Sequence, residues 1–280
     1  MKKDQLTSRR RALLAGAAAL GAAGAAAGLF GLGAGEEAVR APAPAAPGPP
    51  ARRPLRPSAY RLQPLTGYGP PRAVPGRPPV RRRPLLSVSG IGRTMVLTFD
   101  DGPDPRYTPD ILDTLRAYDV RAMFFVCGEM AAAHPHLLVR MADEGHVVGN
   151  HTWSHPLLTR LTGARIRTEM ERTCDVIEDT YGERPRWFRA PYGAWNRAAF
   201  RIGAELGMEP LAWTVDTLDW TEPGTRTIVD RVADGAAPGV VVLSHDAGGD
   251  RSQSVRALRS YLPELLDAGY RITVPSRLQV

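Results

Sequence analysis

Asp100 and Asp101 stand side by side where the apolar run Met95–Phe99 meets a Gly102-Pro103 turn. Adjacent carboxylates repel, so they persist together where a metal or an arginine uses them. Asp-Gly-Pro alone is ordinary turn chemistry. Its company argues for more: His151 and His155 in His-Thr-Trp-Ser-His, Arg189 before Ala-Pro-Tyr-Gly, Asp216 and Asp219 before Trp220, and His245 after Leu243-Ser244. His151 and His155 are four apart, which on one helical turn aims both rings the same way. Two imidazoles and a carboxylate leave metal positions open, as in a catalytic rather than a structural site. Zinc leads for this donor set; cobalt, nickel and iron also accept nitrogen and oxygen.

For these residues to act together, the fold must bring them to one rim. From Leu85 the chain alternates apolar runs with helical patterns. Strands are predicted at Met95–Phe99, Ala122–Val126, Val147-Val148, Trp187-Phe188, Leu211–Val215, Val240–Leu243 and Arg271–Val274. Helices are predicted from Thr108, with Thr108 as N-cap and Pro109 in the first turn, at Pro135–Glu144, after Thr162, after Arg197, and at Thr225–Ala233 and Ser254–Ala268. The alternation argues for a parallel sheet with helices outside. In such sheets, sites lie at the carboxyl ends of strands. Asp100, His151, Arg189, Asp216 and His245 all fall there or in the loops that follow. Periodicity does not separate a barrel from an open doubly wound sheet.

In this order, the five stretches resemble the signature set of the polysaccharide deacetylase family, the NodB-homology or carbohydrate esterase family 4 domain, over residues 87–280. The resemblance implies a distorted (β/α) barrel with fewer than eight parallel strands. It implies Asp101, His151 and His155 as metal ligands, Asp100 as general base with Arg189 as its partner, and His245 as general acid oriented by Asp219. It places an oxyanion contact at the Tyr192 backbone N–H and an apolar acetyl pocket at Trp220 and Leu243. It leaves the role of Asp216 open. The chemistry is coherent. Water on such an ion ionises near neutral pH, its pKa falling from about 15.7 to as low as about 7. Asp100 then takes the proton, and an amine leaving group needs one from His245. The implied reaction is removal of acetyl groups from an N-acetylated glycan, peptidoglycan N-acetylglucosamine or chitooligosaccharide. Two alternatives are an O-acetyl esterase acting on xylan or another glycan, and a non-catalytic, metal-containing wall-binding protein.

The formal charge of +7 is unevenly spread. Residues 1–86 hold 15 Lys and Arg against 3 Asp and Glu, and residues 87–280 hold 21 against 26. Residues 87–280 are therefore mildly acidic, which argues against nucleic acid as their partner. Residues 1–35 combine a basic start, including Arg9-Arg10-Arg11, with an Ala/Gly-rich apolar stretch. This is the pattern of a twin-arginine-like export signal or an N-terminal anchor. The twin-arginine export machinery is then a partner, and the protein is extracellular or associated with the cell wall. Residues 36–86 hold 14 of the 26 prolines, all between Pro42 and Pro84, and read as a disordered Pro/Ala/Arg-rich linker. Cys127 and Cys174 fall in apolar settings and read as two buried thiols. Gly90-Ile91-Gly92 is not a dinucleotide fingerprint, because Met95 stands at the third glycine and the stretch precedes the strand.

Overall fold

The computed structural model describes residues 76–89 and 92–275. Its hub is β1 (Thr94–Asp100), buried at all seven positions. A strand covered on both faces reads as an unbroken apolar run, as Met95–Phe99 does. To one side lie β2 (Met123–Val126), β3 (Val147–Asn150), β4 (Trp187–Phe188) and β5 (Glu209–Pro210); to the other lie β7 (Val241–His245) and β6 (Val215–Asp216). All pairings along this seven-strand path are parallel. β8 (Arg271–Ile272) pairs with the first two residues of β1. This is the distorted barrel that the family resemblance implied.

The helices are α1 (Thr108–Ala117), α2 (Gly128–Ala133), α3 (Pro135–Asp143), α4 (Gly163–Tyr181), α5 (Arg197–Glu205), α6 (Thr225–Gly235) and α7 (Ser252–Asp267). Alternate residues of β1 face opposite ways. Leu97 and Phe99 pack with Ile111, Leu115, Leu138, Ile228 and Leu258 of the surrounding helices. Val96 packs inside the curl with Met123, Phe125, Trp187, Leu211 and Val241. A third cluster joins α4 to α5 and β4 through Ile166, Met170, Cys174, Ile202 and Phe188. Burying each such side chain contributes about 1.5–3 kcal/mol, enough to hold the strand ends that carry the site.

Cys127 and Cys174 are buried and unbridged, as predicted. Three local expectations change. Thr108 does not cap α1; its hydroxyl donates to Asp246 Oδ2 (2.6 Å) and accepts from Asp104 N–H (2.8 Å). Of the strand predicted at Leu211–Val215 only Val215 lies in a strand, β6; β5 ends before it at Pro210, and the Leu211 and Ala212 carbonyls accept from Arg189. α2 was not predicted; six residues are too few to show a helical period.

The signal or anchor predicted at 1–35 and the linker up to residue 75 lie outside the described residues. The end of that linker lies on the domain. Arg81 Nε donates to Glu209 Oε2 (2.5 Å), Leu85 exchanges backbone bonds with Pro210 and Ala212, and Val88 N–H donates to the Gly239 carbonyl (3.0 Å). No helix among the described residues is long and apolar enough to cross a membrane.

Candidate active site

A pocket of about 500 Å³ opens at the carboxyl ends of the strands, lined by Asp100, Asp101, His151, His155, Tyr192, Trp220, Leu243 and His245 among others. Arg189 and Asp219 stand directly behind it. All ten predicted site residues are thus brought together.

Asp100 ends β1, and the chain turns left-handed at Asp101 (φ 77°), so neighbouring carboxylates face different partners. Arg189 is fully buried and donates to Asp100 Oδ1 (2.6 Å), Thr98 Oγ1 (2.8 Å) and the Leu211 and Ala212 carbonyls (3.0 and 2.9 Å). Its face lies 4.2 Å from the Phe125 ring centroid. Burial pulls the guanidinium below its usual range, while the charge and hydrogen bond of Asp100 pull it back up. A guanidinium fixed on four acceptors holds the Asp100 carboxylate in one orientation.

His151 Nδ1 lies 2.9 Å from the Arg189 carbonyl, which can only accept. Nδ1 therefore donates, and Nε2 faces the pocket, 3.4 Å from Asp101 Oδ1. His155 Nε2 is 3.2 Å from the same oxygen. Asp101 Oδ1 is buried without a hydrogen-bond partner, and the ligand atoms of Asp101, His151 and His155 lie within 4.8 Å of one another. Burial opposes the Asp101 charge, but the histidines, His151 foremost, hold its pKa down to about 2. Burial and the neighbouring His151 push His155 below its ordinary value, toward the neutral form. Two imidazoles around an orphaned buried carboxylate oxygen fit a divalent cation.

The two histidines do not share a helical turn. They sit on a loop that is left-handed at Thr152 (φ 68°) and His155 (φ 54°). Such conformations cost on the order of 1–3 kcal/mol each away from glycine, so the surroundings must enforce them. Asn150 Oδ1 accepts from Thr152 N–H (2.9 Å). Glu169 of α4 accepts from the N–H groups of Trp153 and Ser154 (3.0 and 2.9 Å) and from the Ser154 hydroxyl. The Trp153 ring lies under the Arg172 guanidinium at 3.8 Å.

On the third wall, His245 Nδ1 and backbone N–H meet the two oxygens of buried Asp219 at 2.6 and 2.9 Å. The Ser254 hydroxyl donates to the same carboxylate (2.6 Å). Burial disfavours a charged His245, but the hydrogen bond and charge of Asp219, then Asp101 and Asp100, outweigh it and raise the pKa to about 9. With Nδ1 engaged, Nε2 is left for the pocket. Asp216 accepts from Leu218 N–H (2.8 Å) and so shapes the turn that delivers Asp219.

Tyr192 is left-handed (φ 60°), with its ring exposed and edge-on to His155. Hydrogen bonds around its turn run from Gly193 N–H to Ala190 and from Ala194 N–H to Pro191, and neither uses the Tyr192 N–H. Trp220 is exposed at the rim, and Leu243 is buried at the base.

Sequence reasoning missed several supports. Glu169, Ser254 and Thr98 carry no local signal, since each acts across more than ten residues. Asp246 follows His245 in a stretch that also resembles the family's continuation, but nothing in the sequence assigns it a role. It is fully buried and accepts from Gly102 N–H (3.1 Å) and Thr108. Burial first, then the Asp101 and Asp100 charges, raise it to about 7. Gly248 is left-handed, and a Cβ there would lie 2.6 Å from Asp101 Oδ2.

Residues 88–211 match the family model described as polysaccharide deacetylase. The chain is 39% identical to a peptidoglycan-N-acetylglucosamine deacetylase of Bacillus cereus, over 66% of this chain and 68% of the relative. It is 41% identical to a chitooligosaccharide deacetylase of Bradyrhizobium sp., over 68% of this chain and 92% of the relative. A crystal structure of a peptidoglycan N-acetylglucosamine deacetylase superposes with a TM-score of 0.65 at 37% identity, covering 68% of this chain and 89% of that one. The chain belongs to the polysaccharide deacetylase family.

Proposed function

We propose that this protein is an exported, metal-dependent deacetylase that releases acetate from an N-acetylated glycan, peptidoglycan N-acetylglucosamine or chitooligosaccharide. The observation that carries it is one pocket shared by three prepared groups. These are a carboxylate fixed by Arg189, an imidazole held protonated by Asp219, and the Asp101, His151 and His155 donors.

A divalent metal, zinc first, held by those three donors would polarise the acetyl carbonyl and make water more acidic. Asp100 accepts the proton of the attacking water, and Arg189 keeps it aimed. The Tyr192 N–H donates to the carbonyl oxygen as charge develops there, a contact of the kind worth on the order of 10²–10³ in rate. His245 gives its proton to the departing nitrogen. Trp220 and Leu243 receive the methyl group. The balance is one water and one acetamide consumed, one acetate and one amine released.

The raised pKa of His245 supports an N-acetyl over an O-acetyl substrate, because an amine leaves badly without a proton and an alcohol needs less help. Acetate release from chitooligosaccharide, peptidoglycan and acetylxylan in parallel tests this. Faster release from the two N-acetylated substrates is expected; release from acetylxylan alone would replace the proposal with the esterase. The export route rests on the N-terminal arginines, and Arg10→Lys with Arg11→Lys should retain precursor inside the cell.

A further inference from the structure

Beside the catalytic pocket lies a second groove of about 710 Å³, lined by Val80, Arg81, Arg82, Trp195, Arg197 and Phe200 with Asn196. The chain passes directly from one to the other: Tyr192 and Gly193 line the pocket, and Trp195 to Arg197 line the groove. The groove floor is aromatic, with Trp195 stacked on Phe200 (centroids 5.3 Å apart, 11° between planes) and edge-on to Phe188. Its polar lining is cationic. Arg81 is tied to Glu209, whereas Arg82 and Arg197 are exposed and make no ion pair or hydrogen bond among the described residues. No carboxylate lines the groove, although residues 87–280 carry more acidic than basic side chains. Asn196 spends its side chain on Ala199 N–H and the Leu158 carbonyl, which fixes the start of α5 and the Arg197 that follows.

We propose that this groove is a subsite for a carboxylate carried by the substrate beyond the acetylated sugar, with Trp195 against the chain and Arg82 and Arg197 on the anion. Guanidinium groups recognise carboxylates with two parallel donors and stack on planar faces. The groove therefore selects an anionic glycan, such as peptidoglycan with its lactyl and peptide carboxylates, over neutral chitooligosaccharide or acetylxylan. This rests on the deacetylase proposal and names the substrate class within it.

The test compares the full chain with its Arg82→Ala/Arg197→Ala variant on three probes: a muropeptide with free carboxylates, the same muropeptide amidated, and neutral chitotetraose. Arg81 is left in place because its Glu209 pair anchors the segment. Binding is measured by calorimetry and acetate release by KM and kcat. The wild type should bind the free muropeptide about tenfold more tightly than the amidated one, the range expected of two partly exposed ion pairs. The preference should shrink in 0.5 M NaCl and disappear in the variant, with kcat on chitotetraose unchanged. Equal binding of the free and amidated forms by the wild type would overturn the proposal, as would a preference that survives in the variant. Calorimetry is run with both proteins in a His245→Ala background, which reads the groove without turnover, so a failure of the unmodified chain to release acetate from any probe would count against the deacetylase and leave the subsite independently decided.

Discussion

On the acid and base side of the pocket, no buried polar atom of Asp100, Arg189, Asp219 or His245 lacks a partner. Arg189 spends its donors on four acceptors, and Asp219 takes three hydrogen bonds. On the other side, Asp101 Oδ1 is buried with no partner, and two imidazole nitrogens approach it without a bond between them. A buried, unpaired polar atom costs about 1–3 kcal/mol. The first half is complete within the protein, and the second is complementary to a cation. Proton transfer and metal binding should therefore be separable by mutation.

The largest separation is expected from His151→Ala, which should lose bound metal and lower acetate release to background while circular dichroism stays near that of the wild type. Metal content measured on the same sample checks it. His245→Ala should do the reverse, keeping the metal and lowering kcat by on the order of 10²–10⁴.

Asp219→Asn sharpens the comparison on the proton side. His245 must be protonated to serve the leaving group, and its raised pKa keeps it so until pH rises through about 9. Without the Asp219 charge, the alkaline limb should move down toward the ordinary histidine value of about 6.5. A pH–rate profile with the limb unmoved and only the plateau lowered would mean Asp219 merely supports the fold.

The smallest expected effect is that of Glu169→Gln, which keeps the shape but weakens the grip on the Trp153 and Ser154 N–H groups. Metal affinity should fall about 10–100-fold, as for other groups that orient metal ligands. Saturating zinc should restore kcat. A kcat deficit that zinc does not repair would place Glu169 on the proton side instead.

The same division governs what the sequence made legible. β1 was visible because a doubly covered strand is an unbroken apolar run, and the Asp101, His151 and His155 donors because five stretches in order resemble a known family. The His-x-x-x-His spacing was visible, but its backbone was not. Four-residue spacing suits a helical turn, yet here left-handed Thr152 and His155 are enforced by Asn150 and by Glu169 on α4. That Leu211–Thr214 fall between β5 and β6 was equally hidden, since the donor that takes the Leu211 and Ala212 carbonyls is Arg189, more than twenty residues away. Periodicity reports the faces an element must bury. It does not report which distant side chain takes a carbonyl out of a ladder.

The most direct test of a site completed by a cation is to strip the full-length protein with a chelator and titrate zinc back, following bound metal and acetate release from chitooligosaccharide together. Release should vanish with the metal and return in proportion, reaching its plateau at one equivalent. Undiminished release from protein shown to be metal-free would contradict it.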